Sequence, residues 1–265
     1  MTTDTSEKGL ERLICTALTG APCDPGTVQA GMVREPGAPY GGSGWICGDP
    51  NDYDREYAVD PVQLRFFLRA TQPKAAEALD LDQDSPTRRK FLARLQGEIS
   101  KRGVIDVLRH GVKHGPALLD LFYGTPSPGN AAAAERYAQN RFSVVRQLRY
   151  SRDETQLALD VGLFINGLPV ATFELKNSLT KQTVEDAIQQ YKRDRDPRER
   201  LFEFGRCVVQ FAVDDHEVRM CTHLKGKASW FLPFNLGWND GAATRPTPTA
   251  SRPTTSGRTC SPARG

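Results

Sequence analysis

No apolar run in this 265-residue sequence approaches the ~20 residues that a membrane-crossing helix needs. The opening stretch, MTTDTSEKGLERL, carries acids where a secretory leader has a basic start and then an apolar core. Both absences argue for a cytoplasmic protein with no membrane partner. The cysteines (Cys15, Cys23, Cys47, Cys207, Cys221 and Cys260) form no C-x-x-C pair and do not cluster with the histidines. A zinc site is therefore not expected, and reduced, mostly buried thiols are. The glycine-rich stretch Tyr40-Gly41-Gly42-Ser43-Gly44 lacks G-x-x-x-x-G-K-[ST] spacing, and so does the rest of the chain, so no ATP site is expected in it.

A basic excess is missing as well. The chain has 35 Lys and Arg against 32 Asp and Glu. Four of the arginines (Arg245, Arg252, Arg258, Arg264) lie in 241–265, which holds no acid. The first 240 residues therefore carry one more acid than bases. That is not the charge of a polybasic nucleic-acid binder, so any DNA contact must come from a local patch. From Gly241 onward there is also no Leu, Ile, Val, Phe, Met, Trp or Tyr. Such a segment cannot bury enough surface to offset its ordering entropy, and 241–265 is expected to be a disordered tail behind a domain over 1–240.

What is present reads as mixed α/β. Ser6 caps a helix whose Leu10, Leu13, Ile14, Ala17 and Leu18 share a face. Glu7 and Glu11 stand one turn apart beside it, and the plainer reading of them is a solvated acidic edge. Residues 20–52 read as loop. A helical insert is expected over about 53–123, with Pro61 near a helix start, a stripe at Phe91, Leu92, Leu95 and Ile99, and shorter segments at Ile105–Leu108 and Leu118–Phe122. His110 and His114 have metal-ligand spacing but no H-E-x-x-H context, which favours a basic surface turn. A short alanine-rich helix precedes a strand over Phe142–Tyr150. After Lys176 come a loop, a helix over Val184–Arg193, and two strands over Arg206–Val213 and Glu217–Thr222, turned at Asp214-Asp215.

The chain is organised around Gln156–Lys176, QLALDVGLFINGLPVATFELK. Two strands meet at Asn166-Gly167. Odd positions are apolar in both (Leu157, Leu159, Val161, Leu163, Ile165; Ala171, Phe173, Leu175), while Asp160, Thr172, Glu174 and Lys176 are even. Each strand should then have one core face and one polar face. A plain two-residue turn would put the two apolar faces on opposite sides of the sheet. An odd-length loop with Gly167 left-handed, or an equivalent bulge, is therefore expected. Two carboxylates followed by lysine suit phosphodiester hydrolysis. Asp160, Glu174 and the Leu175 carbonyl supply hard oxygen ligands for Mg²⁺, the ion activates a water, and Lys176 orients or deprotonates it or stabilises the phosphorane oxygens. The spacing D-x13-E-x-K alone does not separate this from a surface acid beside a cross-strand Glu/Lys pair.

A longer likeness adds to this. RFSVVRQLRYS, LALDVGLFINGLPVATFELKNSLTKQTVEDAIQQYKRDRDPRERLFEFGRCVVQFAVDD and FLPFNLG resemble the N-terminal region of type I restriction enzyme R subunits. FFLRATQP, ISKRGVIDVLRHGVKH and the PSPGN loop resemble the same family, so the likeness covers about residues 6–240. It implies a restriction-endonuclease-like PD-(D/E)XK fold: a mixed central sheet flanked by helices, here with the helical insert. It also implies a Mg²⁺-dependent DNA endonuclease with Asp160, Glu174 and Lys176 as its catalytic residues, and with Glu11, or less so Glu7, as an accessory acid. The family's Gln-x-x-x-Tyr on the next helix is incomplete: Tyr191 is present, Ala187 stands four residues before it, and Gln189 and Gln190 are out of register. Lys181, Gln190, Tyr191, Lys192, Arg193 and Arg195 are candidate DNA contacts, with a solvated helix face as the plainer reading. In the family, ATP serves a translocase further along the full-length parent, and modification and specificity subunits are partners. The departure after Asp240 fits a truncated product whose reading frame shifts near residue 243, in which case the domain is either the cutting head of such an enzyme or a silent remnant that only binds DNA or the complex.

Overall fold

The computed structural model describes residues 6–24, 43–153 and 156–234. The tail 241–265, most of the glycine-rich loop and Asn235–Gly237 lie outside the described residues. Seven strands form one mixed sheet: β1 (Ile46–Cys47), β4 (Phe142–Arg149), β5 (Ala158–Ile165), β6 (Leu168–Leu175), β7 (Val209–Val213), β8 (Val218–Cys221) and β9 (Leu232–Pro233), neighbours in that order. The pairs are antiparallel except β1 with β4 and β6 with β7. The parallel step from β6 to β7 requires a crossover, and helix α7 (Val184–Arg193) supplies it.

Helices cover both faces. On one side α1 (Glu7–Thr19) sets Leu10, Ile14 and Cys15 against Val144, Val161, Leu175 and Val213. On the other, Val184, Ala187, Ile188 and Tyr191 of α7 pack on Leu148, Leu159, Phe164 and Ala212. The expected polar face of the hairpin is thus absent: Thr172 and Glu174 are fully buried, and side chains meet the Thr172 hydroxyl and one oxygen of Glu174. The stripe on α1 is also turned from expectation. Leu13 is 55% exposed, and the buried line is Glu11, Cys15 and Thr19. Arg146 and Gln147 meet the Glu11 carboxylate, so an acid sits on the covered side of the helix.

The helical insert gathers α2 (Pro61–Thr71), α3 (Pro73–Ala78), α4 (Pro86–Arg102) and α5 (Val104–His110) around Phe67, Phe91, Leu95, Ile99 and Val107. Its two longest helices begin where short acceptors precede proline: Asp60 caps α2 and Ser85 caps α4, each with proline in the first turn. Leu118–Phe122 is not helical. Strand β3 (Ala117–Leu119) pairs with β2 (Val112–His114) in a small separate hairpin, too short for a periodicity to register. His110 pairs with Asp106 while His114 packs edge-on against Phe91, in keeping with a turn rather than a metal pair. Helix α6 (Ala131–Ala138) precedes β4.

Two cysteines depart from the reduced state expected. Cys23, just past α1, and Cys47, in edge strand β1, form a disulfide with Cα atoms 5.4 Å apart. Their sequence separation of 24 hid the pairing, which arises because α1 packs beside β1 and β4. Cys15, Cys207 and Cys221 are free and buried.

Asn166 and Gly167 form a two-residue turn, both with positive φ (51° and 82°), and Ile165 pairs with Leu168. The register then shifts: Phe164 faces Pro169, but Leu163 faces Ala171, so Val170 is the extra residue of a bulge in β6. The parity correction that the sequence demanded is made by this bulge and not by an odd-length loop. Beyond it, Val161 pairs with Phe173 and Gly162 with Thr172, and the continued register sets Asp160 level with Glu174.

Candidate active site

The acids therefore meet at the end of the sheet where β6 runs out. Glu174 and Lys176 come from β6 and the residue after it, Asp160 from β5, and Glu7 and Glu11 from α1. One carboxylate oxygen of Asp160, Oδ2, accepts the backbone N–H of Leu175 at 2.7 Å. This ties the first acid to the E-x-K segment of its neighbour. Lys176 Nζ stands 3.4 Å from Glu7 Oε1, and its backbone N–H donates to Val213.

Glu174 is held differently. Arg195 places Nε at 2.7 Å and Nη2 at 2.6 Å from the same oxygen, Oε1. The other oxygen, Oε2, is buried and has no hydrogen-bond partner among the described residues. Thr172, two residues earlier, bonds the hydroxyl of Tyr191 at 2.9 Å. Glu11 is closed off: Arg146 Nε takes Oε2 at 3.0 Å and Gln147 Nε2 takes Oε1 at 2.8 Å. Arg146 also grips Asp24 at 2.8 Å and the Pro22 carbonyl at 2.9 Å.

Burial dominates the electrostatics. It pushes the Asp160 carboxyl up to about 6, the Leu175 N–H pulls the value back, and Glu11 raises it again. Glu174 is also raised by burial, against the pull of Arg195 and with the push of Asp160. Two desolvated acids side by side are an arrangement that a cation relieves.

The DNA-contact candidates separate by exposure. Lys181 and Arg193 are exposed, and Gln190 and Lys192 are half-buried. Tyr191 is fully buried against Thr172, and Arg195 is buried as the partner of Glu174, so neither reaches a nucleic acid. Both follow the buried stripe of α7 (Val184, Ala187, Ile188, Tyr191) and its continuation four residues on, a spacing that points inward. A cleft of about 290 Å³ opens beside Lys176 and is lined by Gln182, Asp186, Gln189, Gln190, Arg193 and Asp194. Sequence reasoning missed Arg146 as the partner of Glu11. The available signal was a charged residue inside the apolar run Phe142–Leu148.

Among the described residues no three His, Cys, Asp or Glu side chains stand together as a ready metal set. The donors that are present nevertheless suit a hard divalent cation: two carboxylates level with each other, one with a buried oxygen that has no partner among the described residues. Mg²⁺ keeps several waters and needs only one or two protein carboxylates. Glu11 fits this set less well, since both its oxygens are already engaged.

A mixed sheet with helices on both faces, an acid on one strand and acid-x-lysine at the end of the next is the layout expected of a domain of the PD-(D/E)XK type. Residues 129–229 match the family model described as type I restriction enzyme R protein N terminus. Comparison with curated proteins and with solved structures gives no match.

Proposed function

We propose that this domain is the DNA-cutting part of a type I restriction enzyme R subunit, a Mg²⁺-dependent endonuclease that hydrolyses phosphodiester bonds. One observation carries the reading: the Val170 bulge sets Asp160 level with Glu174 at the end of β6, where Glu174 Oε2 has no partner and Lys176 stands next along the strand. Asp160, Glu174 and the Leu175 carbonyl would hold the ion. When bound, it would neutralise phosphate charge and make a water a better nucleophile. Lys176 is 9% exposed and is held by one long contact to Glu7, which a phosphate oxygen can replace. Its ammonium then stabilises charge on the phosphorus oxygens or orients the attacking water. Gln190 and Arg193 line the adjoining cleft, and Lys181 and Lys192 add positive charge nearby, suited to the DNA backbone rather than to base reading. Sequence specificity would belong to the modification and specificity subunits, and ATP use to other parts of the full-length parent, all in the cytoplasm. Among the described residues no helix is long and apolar enough to cross a membrane.

A second reading, a silent remnant that only binds DNA or the restriction complex, draws on a specific observation: Asp160, Glu174 and Lys176 each already have an internal partner. Plasmid nicking with Mg²⁺ separates the two. The nuclease reading expects cutting by the wild type that Asp160→Ala and Lys176→Ala abolish. Equal nicking by all three proteins counts against this site, and retained DNA binding without cutting favours the remnant.

A further inference from the structure

An arginine that pairs with a carboxylate ordinarily spreads its fork over both oxygens. Arg195 does not. Its Nε and Nη2 both converge on Oε1 of Glu174, at 2.7 and 2.6 Å, and Oε2 is left buried and unpartnered. The rest of the guanidinium is fixed from other directions. Nη2 also donates to the Ala158 carbonyl at 2.8 Å, and Nη1 lies 3.3 Å from the Tyr150 hydroxyl. Its central carbon sits over the Tyr150 ring, 5.5 Å from the centroid. Ala158 is two residues before Asp160 on β5, so Arg195 clamps the strand of the first acid to the side chain of the second. Four of its five N–H donors are accounted for without touching Oε2.

We propose that Arg195 is a positioning residue for the metal site. It pins Glu174 through Oε1, so that Oε2 is the one oxygen of that carboxylate offered to a divalent cation, and it holds β5 and β6 at the spacing the two acids need. The inference rests on the metal-nuclease reading above. It also gives a specific role to a residue whose charge alone suggests a phosphate contact. A lysine keeps the charge but has no planar fork with which to hold Glu174 Oε1, Ala158 and Tyr150 together.

The test is Mn²⁺ binding to the full chain, followed by the electron paramagnetic resonance signal of free Mn²⁺, for wild type, Asp160→Asn, Arg195→Lys and Arg195→Met. Removing an outer partner of a metal ligand typically costs about 10- to 100-fold in affinity. Arg195→Met is expected to bind within that range more weakly than wild type, with Arg195→Lys in between. In the nicking assay, half-saturating Mg²⁺ should rise while the rate at saturation falls far less. Arg195→Met with wild-type affinity overturns the proposal, and so does Arg195→Lys no better than Arg195→Met. If Arg195→Met does not fold by circular dichroism, Arg195→Lys decides alone: wild-type affinity overturns the proposal, and weaker binding by a folded protein supports it. Wild-type binding that Asp160→Asn leaves unchanged places the ion elsewhere and removes the nuclease-site reading itself. That outcome is distinct from failure of the Arg195 role.

Discussion

The helical lobe and the end of the sheet are both tightly buried, but they are held together by different means. In the lobe, Phe67, Phe91, Leu95, Ile99 and Val107 are wholly enclosed and meet almost only other apolar groups. At the sheet end the enclosed groups are Glu11, Glu174 and Arg195, with Arg146 close to buried. The first arrangement gains from removing carbon from water and tolerates changes that keep volume. The second is stable only while every charge has its counterpart, because an isolated buried charge costs several kcal/mol. A core built for stability alone has no reason to accept that exposure to single-residue loss, whereas the cation site proposed above would.

Four measurements test this contrast, the first by breaking it where it is strongest. Glu174→Ala strands Arg195 in the interior and is expected to lower the unfolding free energy by about 3–5 kcal/mol in urea titration. Glu174→Leu with Arg195→Met, which removes both charges, should recover most of that loss. If the double variant is as unstable as the single, the pair is not what makes this end fragile. In the lobe, Leu95→Ala should cost about 2–5 kcal/mol by cavity formation. The folded fraction should keep its Mn²⁺ affinity, and a changed affinity would show that the two regions are coupled.

A smaller effect concerns pH. The Asp160 carboxyl is raised from 3.8 to about 6 in the folded protein. The native state therefore holds this proton more tightly than the unfolded chain does. The Asp160 contribution to stability should fall as pH rises from about 4 to about 6 and level off above, while cation binding strengthens over the same range. Asp160→Asn should flatten that part of the stability profile, as read from urea midpoints at several pH values. The smallest change is expected at the rim. Lys181→Ala, at an exposed site, should leave stability within about 0.5 kcal/mol while weakening DNA binding and lowering its salt dependence by about one unit of slope.

Much of the fold was legible because its elements have clear periods and punctuation. The crossover helix over Val184–Arg193 was read with its boundaries correct, and the strand beginning at Phe142 to within one residue at its end. The alternation in Gln156–Lys176 even demanded a break in register, since two apolar faces cannot both be inward across a plain two-residue turn. What it could not indicate was where the extra residue falls. Val170 looks like any β-branched strand residue, and the turn that does form, Asn166-Gly167, satisfies local rules by itself. Side-chain partners were the least visible. Nothing local in the sequence links Arg195 to Glu174, or Arg146 to Glu11, across separations of 21 and 135 residues. Those links exist only once helices close over both faces. The same closure turned the supposed polar face into an interior and brought Cys23 to Cys47.

The turn at Asn166-Gly167 has a consequence for how the molecule ages. Asn-Gly in a mobile chain loses its side-chain amide readily, because the glycine nitrogen can swing onto the asparagine carbonyl and close a ring. Here that swing is blocked. Asn166 is fully enclosed, its amide nitrogen is shared between the Leu121 carbonyl and Asn140, and its oxygen accepts from Arg141. Gly167 lies against Asp60 and Leu64 of the lobe so closely that even a Cβ would stand 2.3 Å from a backbone oxygen. Deamidation at this dipeptide thus waits for the lobe and the sheet to part. The fraction of molecules carrying aspartate or isoaspartate at position 166 would record how often, over the life of a sample, that junction has opened.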